Sequence, residues 1–181
     1  MTLSYKSEKV HGADLGLRRA FLREFAARPA NYADFFEVAP ENWIHVQGKL
    51  RDPFEQAASH MPMVCHGLSL NLGGPKPLNL TLVGEIQQLL SLDNVAYYNE
   101  YLSYCGDEGH LYDLLLIPLT AQAITHVSDR IKQVQDALGQ QMAPENVPYY
   151  CTQGQQMREI EFLLGVLDAA DFLSSLNVNS V

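Results

Sequence analysis

Cysteine is scarce and unpatterned here. There are three, Cys65, Cys105 and Cys151, with no CxxC spacing. An odd, scattered set excludes a disulfide framework and fits a reducing cytoplasm. Long apolar runs are missing too. The longest, Leu114 to Ile117, is cut by Pro118 and falls far short of the roughly 20 residues that a bilayer crossing needs. The opening stretch MTLSYKSEKV has no apolar core of a secretory signal. Positive charge is in deficit: 12 Lys and Arg face 21 Asp and Glu, for a net charge of -9. With a pI near 5.0 such a chain repels polyanions, so neither nucleic acid nor an acidic membrane surface is an expected partner. There is no Gly-rich phosphate loop, GxSxG elbow or HExxH pair, and Asp107-Glu108 lacks EF-hand spacing.

What is present is an ordinary globular composition. The 181 residues are 47% hydrophobic and 18% charged, enough for one core and a single domain over residues 1–181. The organising stretch is MPMVCHGLSLNLGG, Met61 to Gly74. Pro62 opens it and Gly73-Gly74-Pro75 closes it, as turn residues bound a short strand. Met63, Val64 and Cys65 form an unbroken apolar row, the signature of a strand covered on both faces. His66 and Gly67 end the row, an imidazole followed by a residue that admits close approach.

Around that strand the pattern alternates. Strands are predicted at Val10–Leu17, Phe35–Val38, Val95–Leu102 and Met142–Val147, with a sixth at Phe172–Val178. Helices are predicted at Arg18–Arg28 (Phe21, Leu22, Phe25 and Ala26 on one face), Pro53–His60, and Asn79 to about Leu92 with Leu82, Ile86, Leu89 and Leu90 inward. Thr120 caps the clearest helix, where Ile124, Val127, Ile131, Val134 and Leu138 recur in steps of three and four up to Gly139. Gln155–Ala170 is predicted as another, with Met157, Ile160, Leu163, Leu164 and Leu167 inward. Ser103 to Leu115 reads as a long loop. Strand–helix alternation implies parallel βα units. An eight-stranded barrel takes roughly 250 residues, so the expectation is either a smaller open α/β sheet or a barrel missing its last quarter.

Barrel chemistry needs His and carboxylate groups converging at the C-terminal ends of several strands. The candidates are Glu37, His66, Glu100 and Glu145, each near a predicted strand end. Each has a plainer reading: His66 as a core histidine bonded to backbone, Glu37 as half of a buried ion pair, Glu145 as a turn or cap residue. His110 reads as a solvated loop residue and His126 as a surface residue. Cys65 neighbours His66, but alternation turns it to the other face, where it packs rather than reacts.

FFEVAPENWI (Phe35 to Ile44), CHGLSLNLGG (Cys65 to Gly74), EYLSYCGDEGHLYDLL (Glu100 to Leu115) and ENVPYY (Glu145 to Tyr150) stand in an order and spacing that resembles a known family. It is the multinuclear non-haem iron-dependent oxidative enzymes of the MbnB/TglH-like kind, long an uncharacterised-protein family. The likeness runs from Gly12 to Asn179. It implies a TIM-barrel-like (β/α) fold of the xylose-isomerase-like class, incomplete here at about six of eight strands. It implies two or three iron ions, and O2-dependent modification of cysteines in a ribosomally synthesised precursor peptide delivered by a partner protein. Carried over by position, His66 and Glu145 look like metal ligands. Tyr101 stands where the family has a ligand His, and Asn177 where it has a ligand Asp. Pro144 sits awkwardly for a central strand. These departures, with an end inside strand-like sequence, imply a truncated or inactive member that self-associates through open barrel edges. The alternatives are a non-catalytic remnant that binds a peptide or partner, and a divalent-metal sugar isomerase-like barrel.

Overall fold

A computed structural model describes residues 10–27, 33–92, 94–107, 109–148 and 154–172. Five parallel strands form one sheet in the order β1-β2-β3-β4-β7: β1 Asp14–Gly16, β2 Phe35–Val38, β3 Met63–Gly67, β4 Val95–Tyr101 and β7 Ala143–Glu145. Helices α1 Leu22–Ala27, α2 Arg51–His60, α3 Leu80–Leu90, α4 Ala121–Leu138 and α5 Glu159–Ala170 cover one side of it. Short 3-10 turns at Pro40–Asn42 and Gly48–Leu50 flank Trp43 between β2 and α2. No helix among the described residues is long and apolar enough to cross a membrane.

All five residues of β3 are buried, as its unbroken apolar row requires. β1 is shorter than predicted and exposed along its length, Leu15 included, as an uncovered sheet edge would be. β7 pairs with β4 alone. As the last strand of the described sheet it tolerates Pro144, whose missing N–H would interrupt a central ladder. The core is built from side chains such as Phe36, Phe54, Tyr98, Ile131 and Phe162, all near complete burial. Each contributes roughly 1.5–3 kcal/mol relative to exposure.

The caps match their sequence signals. Asn79 accepts from the Leu82 amide, Thr120 Oγ1 accepts from the Ala123 amide, and Gly139 closes α4 at φ 71°. Thr120→Ala is expected to lower stability by about 1 kcal/mol in urea unfolding, the usual worth of such a cap. Val127, Ile131, Val134 and Leu138 are buried as predicted, with Ile124 at the margin.

Three expectations are corrected. Residues 103–115 are not a loop. They form most of an antiparallel hairpin, β5 Ser103–Gly106 and β6 His110–Leu116, turned where the Asp107 amide donates to the Gly109 carbonyl. The glycine-and-acid tip masked two ordinary strands. On α1 Leu22 and Phe25 are buried, but Phe21 is half exposed, because the helix starts only at Leu22. On α5 the buried residues are Phe162, Val166 and Ala170, whereas Ile160 and Leu164 are 53% and 51% exposed. That helix is apolar nearly all round, so its pattern does not fix its rotation. Gly165 does: a Cβ there would stand 2.7 Å from Ile124 Cδ1 of α4, so the two helices meet at this glycine. Of the predicted sixth strand only Phe172 is described, and it is not in a strand; Asn177 lies outside the described residues.

Candidate functional site

Strand alternation sorts the candidate residues onto two faces of the sheet. Met63 and Cys65 of β3 belong to the main apolar cluster under the helices, as do Phe36 and Val38 of β2. Val64, His66 and Glu37 therefore turn to the opposite, inner face. In β4 a bulge intervenes: the register steps from Met63↔Val95 to Cys65↔Tyr98. Val95 and Tyr98 thus both face the helices, and from there on Asn99 and Tyr101 face inward. His66 pairs in register with Asn99, and Tyr101 with Glu145.

The inner face so built holds His66, Glu145, Asn99, Tyr101 and Glu37 at the C-terminal ends of four strands. His66 Nδ1 stands 3.6 Å from Glu145 Oε2. Asn99 Nδ2 donates to the same Glu145 oxygen at 3.4 Å. The Tyr101 ring meets His66 edge-on, with centroids 4.4 Å apart. Both ring nitrogens of His66 and Asn99 Oδ1 are buried with no hydrogen-bond partner, against the rule that buried polar atoms are paired. The plainer reading of His66, a core histidine tied to backbone, does not hold.

Electrostatics follow from burial and crowding. Burial raises the Glu37 carboxyl above its usual range; His66 opposes this, while Asp14 and Glu145 add to it. Burial also raises the Tyr101 phenol, and Glu145, Glu37 and Glu100 push it further, so it stays protonated at neutral pH. Glu37 interacts with His66 and with other acids, and among the described residues it forms no ion pair with an arginine.

Glu100 does not join this group. It lies on the helix-facing side with Tyr98, whose hydroxyl donates to Glu100 Oε2 at 2.6 Å; the amides of Leu70 and Tyr101 donate to its two oxygens. A second acid, Glu41, had no signal beyond the quoted FFEVAPENWI motif. Its Oε1 accepts from the Leu68 amide and from Ser69 Oγ. Together Glu41 and Glu100 hold the loop that follows His66.

That loop is pinned from α4 as well. Arg130, buried without a carboxylate, donates to the carbonyls of Lys76 and Asn71, and His126 Nε2 lies 2.9 Å from Gly74 O. His126 is thus exposed but tethered. Cys65 is fully buried, and burial holds its thiol well above the ordinary range, so packing is its role. His110 belongs to β6, not to a loop.

Iron, as the resemblance implies, can be tested against these donors. Two ligand atoms each about 2.1 Å from one ion stand roughly 3 to 4 Å apart, and the His66–Glu145 separation lies in that range. Imidazole and carboxylate are donors that suit iron among other divalent metals. Among the described residues, however, no three His, Cys, Asp or Glu side chains converge to hold an ion. The residues present fit one edge of a coordination sphere.

Comparison with known proteins identifies the family and the fold. The family described as "RiPP precursor modification enzyme MbnB/TglH/ChrH" matches residues 12–181. A UPF0276 protein of Shewanella sediminis is 46% identical over 167 residues, covering 92% of this chain and 60% of the relative. One of Haemophilus influenzae is 45% identical over 175 residues, covering 96% and 57%. One of Pseudomonas aeruginosa is 41% identical over 174 residues, covering 96% and 61%. The chain thus spans about 60% of the length of these relatives. Among solved structures, a D-psicose 3-epimerase crystallised with D-fructose superposes with a TM-score of 0.59 at 11% identity, over 91% of this chain and 58% of the epimerase. Endonuclease IV from Thermus thermophilus gives 0.55 at 12% identity, over 91% and 61%. At such identities these neighbours establish the fold alone, a TIM-barrel architecture of the xylose-isomerase-like class with five parallel strands described here. With four motifs in register and a family match across nearly its whole length, the chain belongs to the MbnB/TglH/ChrH family of RiPP precursor modification enzymes.

Proposed function

We propose that this chain carries one side of an iron centre in an oxidative enzyme that modifies cysteines of a ribosomally synthesised precursor peptide presented by a partner protein. The observation that supports this is the buried imidazole of His66, unpartnered at both nitrogens and 3.6 Å from Glu145 Oε2. His66 and Glu145 are the ligands. Asn99 holds the Glu145 oxygen in place, the Tyr101 ring fixes the imidazole plane, and Glu37 adds negative charge that favours a cation. Iron held there would supply one-electron and O2 chemistry that no side chain provides.

With two protein donors the described residues hold metal weakly, and turnover by this chain alone is not expected. Anaerobic Fe(II) titration against a chromophoric chelator tests the site directly. His66→Ala and Glu145→Gln should each weaken binding by more than about tenfold, since losing even an outer-shell partner of a metal ligand costs about ten- to a hundredfold. Equal affinity in wild type and His66→Ala would sink the ligand assignment. A second reading, a non-catalytic module that binds peptide or partner, is favoured by Tyr101, a protonated phenol where the family resemblance implies an imidazole. Tyr101→His separates the two: tighter iron binding supports the metal centre, and no detectable binding even then supports the binding module.

A further inference from the structure

Beside the inner face lies a cleft of about 450 Å3 between the ends of β1 and β2 and the turn after β2, lined among others by Gly16, Arg18, Arg19, Glu37, Asn42 and Trp43. Glu37 belongs both to this cleft and to the His66 group, so the two spaces adjoin. The cleft is out of character for the molecule. In a chain of net charge -9, two consecutive arginines reach one concavity at the barrel mouth.

Arg19 is held ready. One guanidinium nitrogen donates to the Asn42 carbonyl, and its Cζ lies 6.0 Å from the Trp43 ring centroid. Trp43 itself is 2% exposed and stacked on Phe54 at 4.7 Å, so it is a fixed wall. A guanidinium has five N–H donors; one bond to a carbonyl leaves a fork for a planar anion. Arg18 is exposed; its carbonyl accepts from the Phe21 amide, while no ion pair ties its guanidinium to another described residue. The acids near the cleft are Glu37, in its lining, and Asp14.

We propose that this cleft is the substrate anchor: Arg18 and Arg19 grip a carboxylate of the peptide while its cysteine reaches the space before His66. The proposal rests on the peptide-modifying reading above and names a chemical requirement of that peptide. Carboxylate, rather than phosphate, fits two guanidinium groups with an acid already lining the same space. A paired fork is worth the affinity of a charge-assisted bond, about tenfold or more when lost.

The test uses metal-free protein and three fluorescein-labelled peptides with one cysteine each, read by anisotropy. One carries an internal aspartate and an amidated C-terminus, one is neutral with a free C-terminal carboxylate, and one is neutral and amidated. At least one acidic peptide should bind about tenfold tighter than the neutral one, with the preference falling as salt rises. The two acidic peptides distinguish a side-chain carboxylate from a terminal one. Arg18→Ala, exposed and dispensable for folding, should abolish the preference. Arg19→Lys keeps the charge but loses the fork, and should reduce it. Equal binding of all three peptides, no measurable binding of the acidic ones, or a preference that survives in Arg18→Ala would overturn the proposal. Iron titration of the same Arg18→Ala protein reports separately on His66 and Glu145, so failure of the metal site and failure of the anchor leave different traces.

Discussion

Gly67→Ala is expected to cost about 3 to 5 kcal/mol of stability, the sum of overpacking a rigid site and breaking a buried hydrogen bond to an acid. The position has no room. A Cβ built on Gly67 would lie 2.1 Å from Tyr98 Oη, 2.4 Å from Glu100 Oε2 and 2.7 Å from Tyr98 Cζ. Neither neighbour can swing aside. Tyr98 is 0% and Glu100 1% exposed, and their mutual bond of 2.6 Å is further fixed by the Leu70 and Tyr101 amides. The new methyl must separate the pair or displace β3 against β4. Because His66 is the preceding residue, the same displacement shifts the imidazole. Denaturant unfolding measures the loss, and Gly67→Ala combined with Tyr98→Phe checks its cause. Removing the hydroxyl relieves the shortest contact, so the double variant should be more stable than the sum of the single effects by at least about 1 kcal/mol. A loss under about 1 kcal/mol for Gly67→Ala alone would mean the strands adapt and the clash is not real.

This glycine also illustrates what the sequence makes legible. Punctuation and composition locate β3, and the End-His-Gly arrangement marks where chemistry is to be sought. The caps at Asn79, Thr120 and Gly139 are local signals, and they hold because each is satisfied within its own turn. β2 is read correctly for the same reason: Pro40 ends it. The phase of β4 is another matter. VAYYNEY has large or polar residues on both faces, so its period is visible but not which half points where. The bulge opposite Val64 then inverts the phase midway. The strand pattern accordingly groups Glu100 with His66 and passes over Asn99, the residue that does face it. The hairpin escapes a local reading because its pins are remote. Asn71 donates to the Gly106 carbonyl and accepts from the Cys105 amide, and the Gly73 amide donates to the Ser103 carbonyl. Bonds between residues about thirty positions apart leave no mark in a local pattern. Only the family resemblance pairs His66 with Glu145; spacing along the chain contains nothing that brings them to 3.6 Å.

The buried acid beside Gly67 gives the second large effect, a stability that falls as pH rises. Burial pushes the Glu100 carboxyl up to about 8, and nearby Glu41 adds to this. The hydrogen bonds from Tyr98, Leu70 and Tyr101 favour the charged form but do not offset the desolvation. In the unfolded chain the same group titrates near the ordinary value of 4.5. Between those two values the folded protein keeps a proton that the unfolded chain has lost. Stability then falls with rising pH, by about 1.4 kcal/mol per unit for one proton. It is greatest below the unfolded value and fully lost above the folded one. Glu100→Gln keeps the shape and one acceptor while fixing the charge at zero. With its oxygen keeping the Tyr98 and Leu70 donors, its carboxamide nitrogen cannot accept from the Tyr101 amide, so near pH 5 the variant should be less stable than wild type by about 1 kcal/mol. Near pH 8 the order should reverse, because wild type has by then lost several kcal/mol while the variant, with no proton to release at this position, keeps its stability. Every other ionisable group is common to both proteins, so the difference between the two urea-unfolding free energies isolates Glu100. A difference that stays constant from pH 5 to pH 8 would mean that this carboxylate is ionised inside the fold, stabilised by its three donors. The loop after His66 would then be held by a full charge and not by a neutral acid.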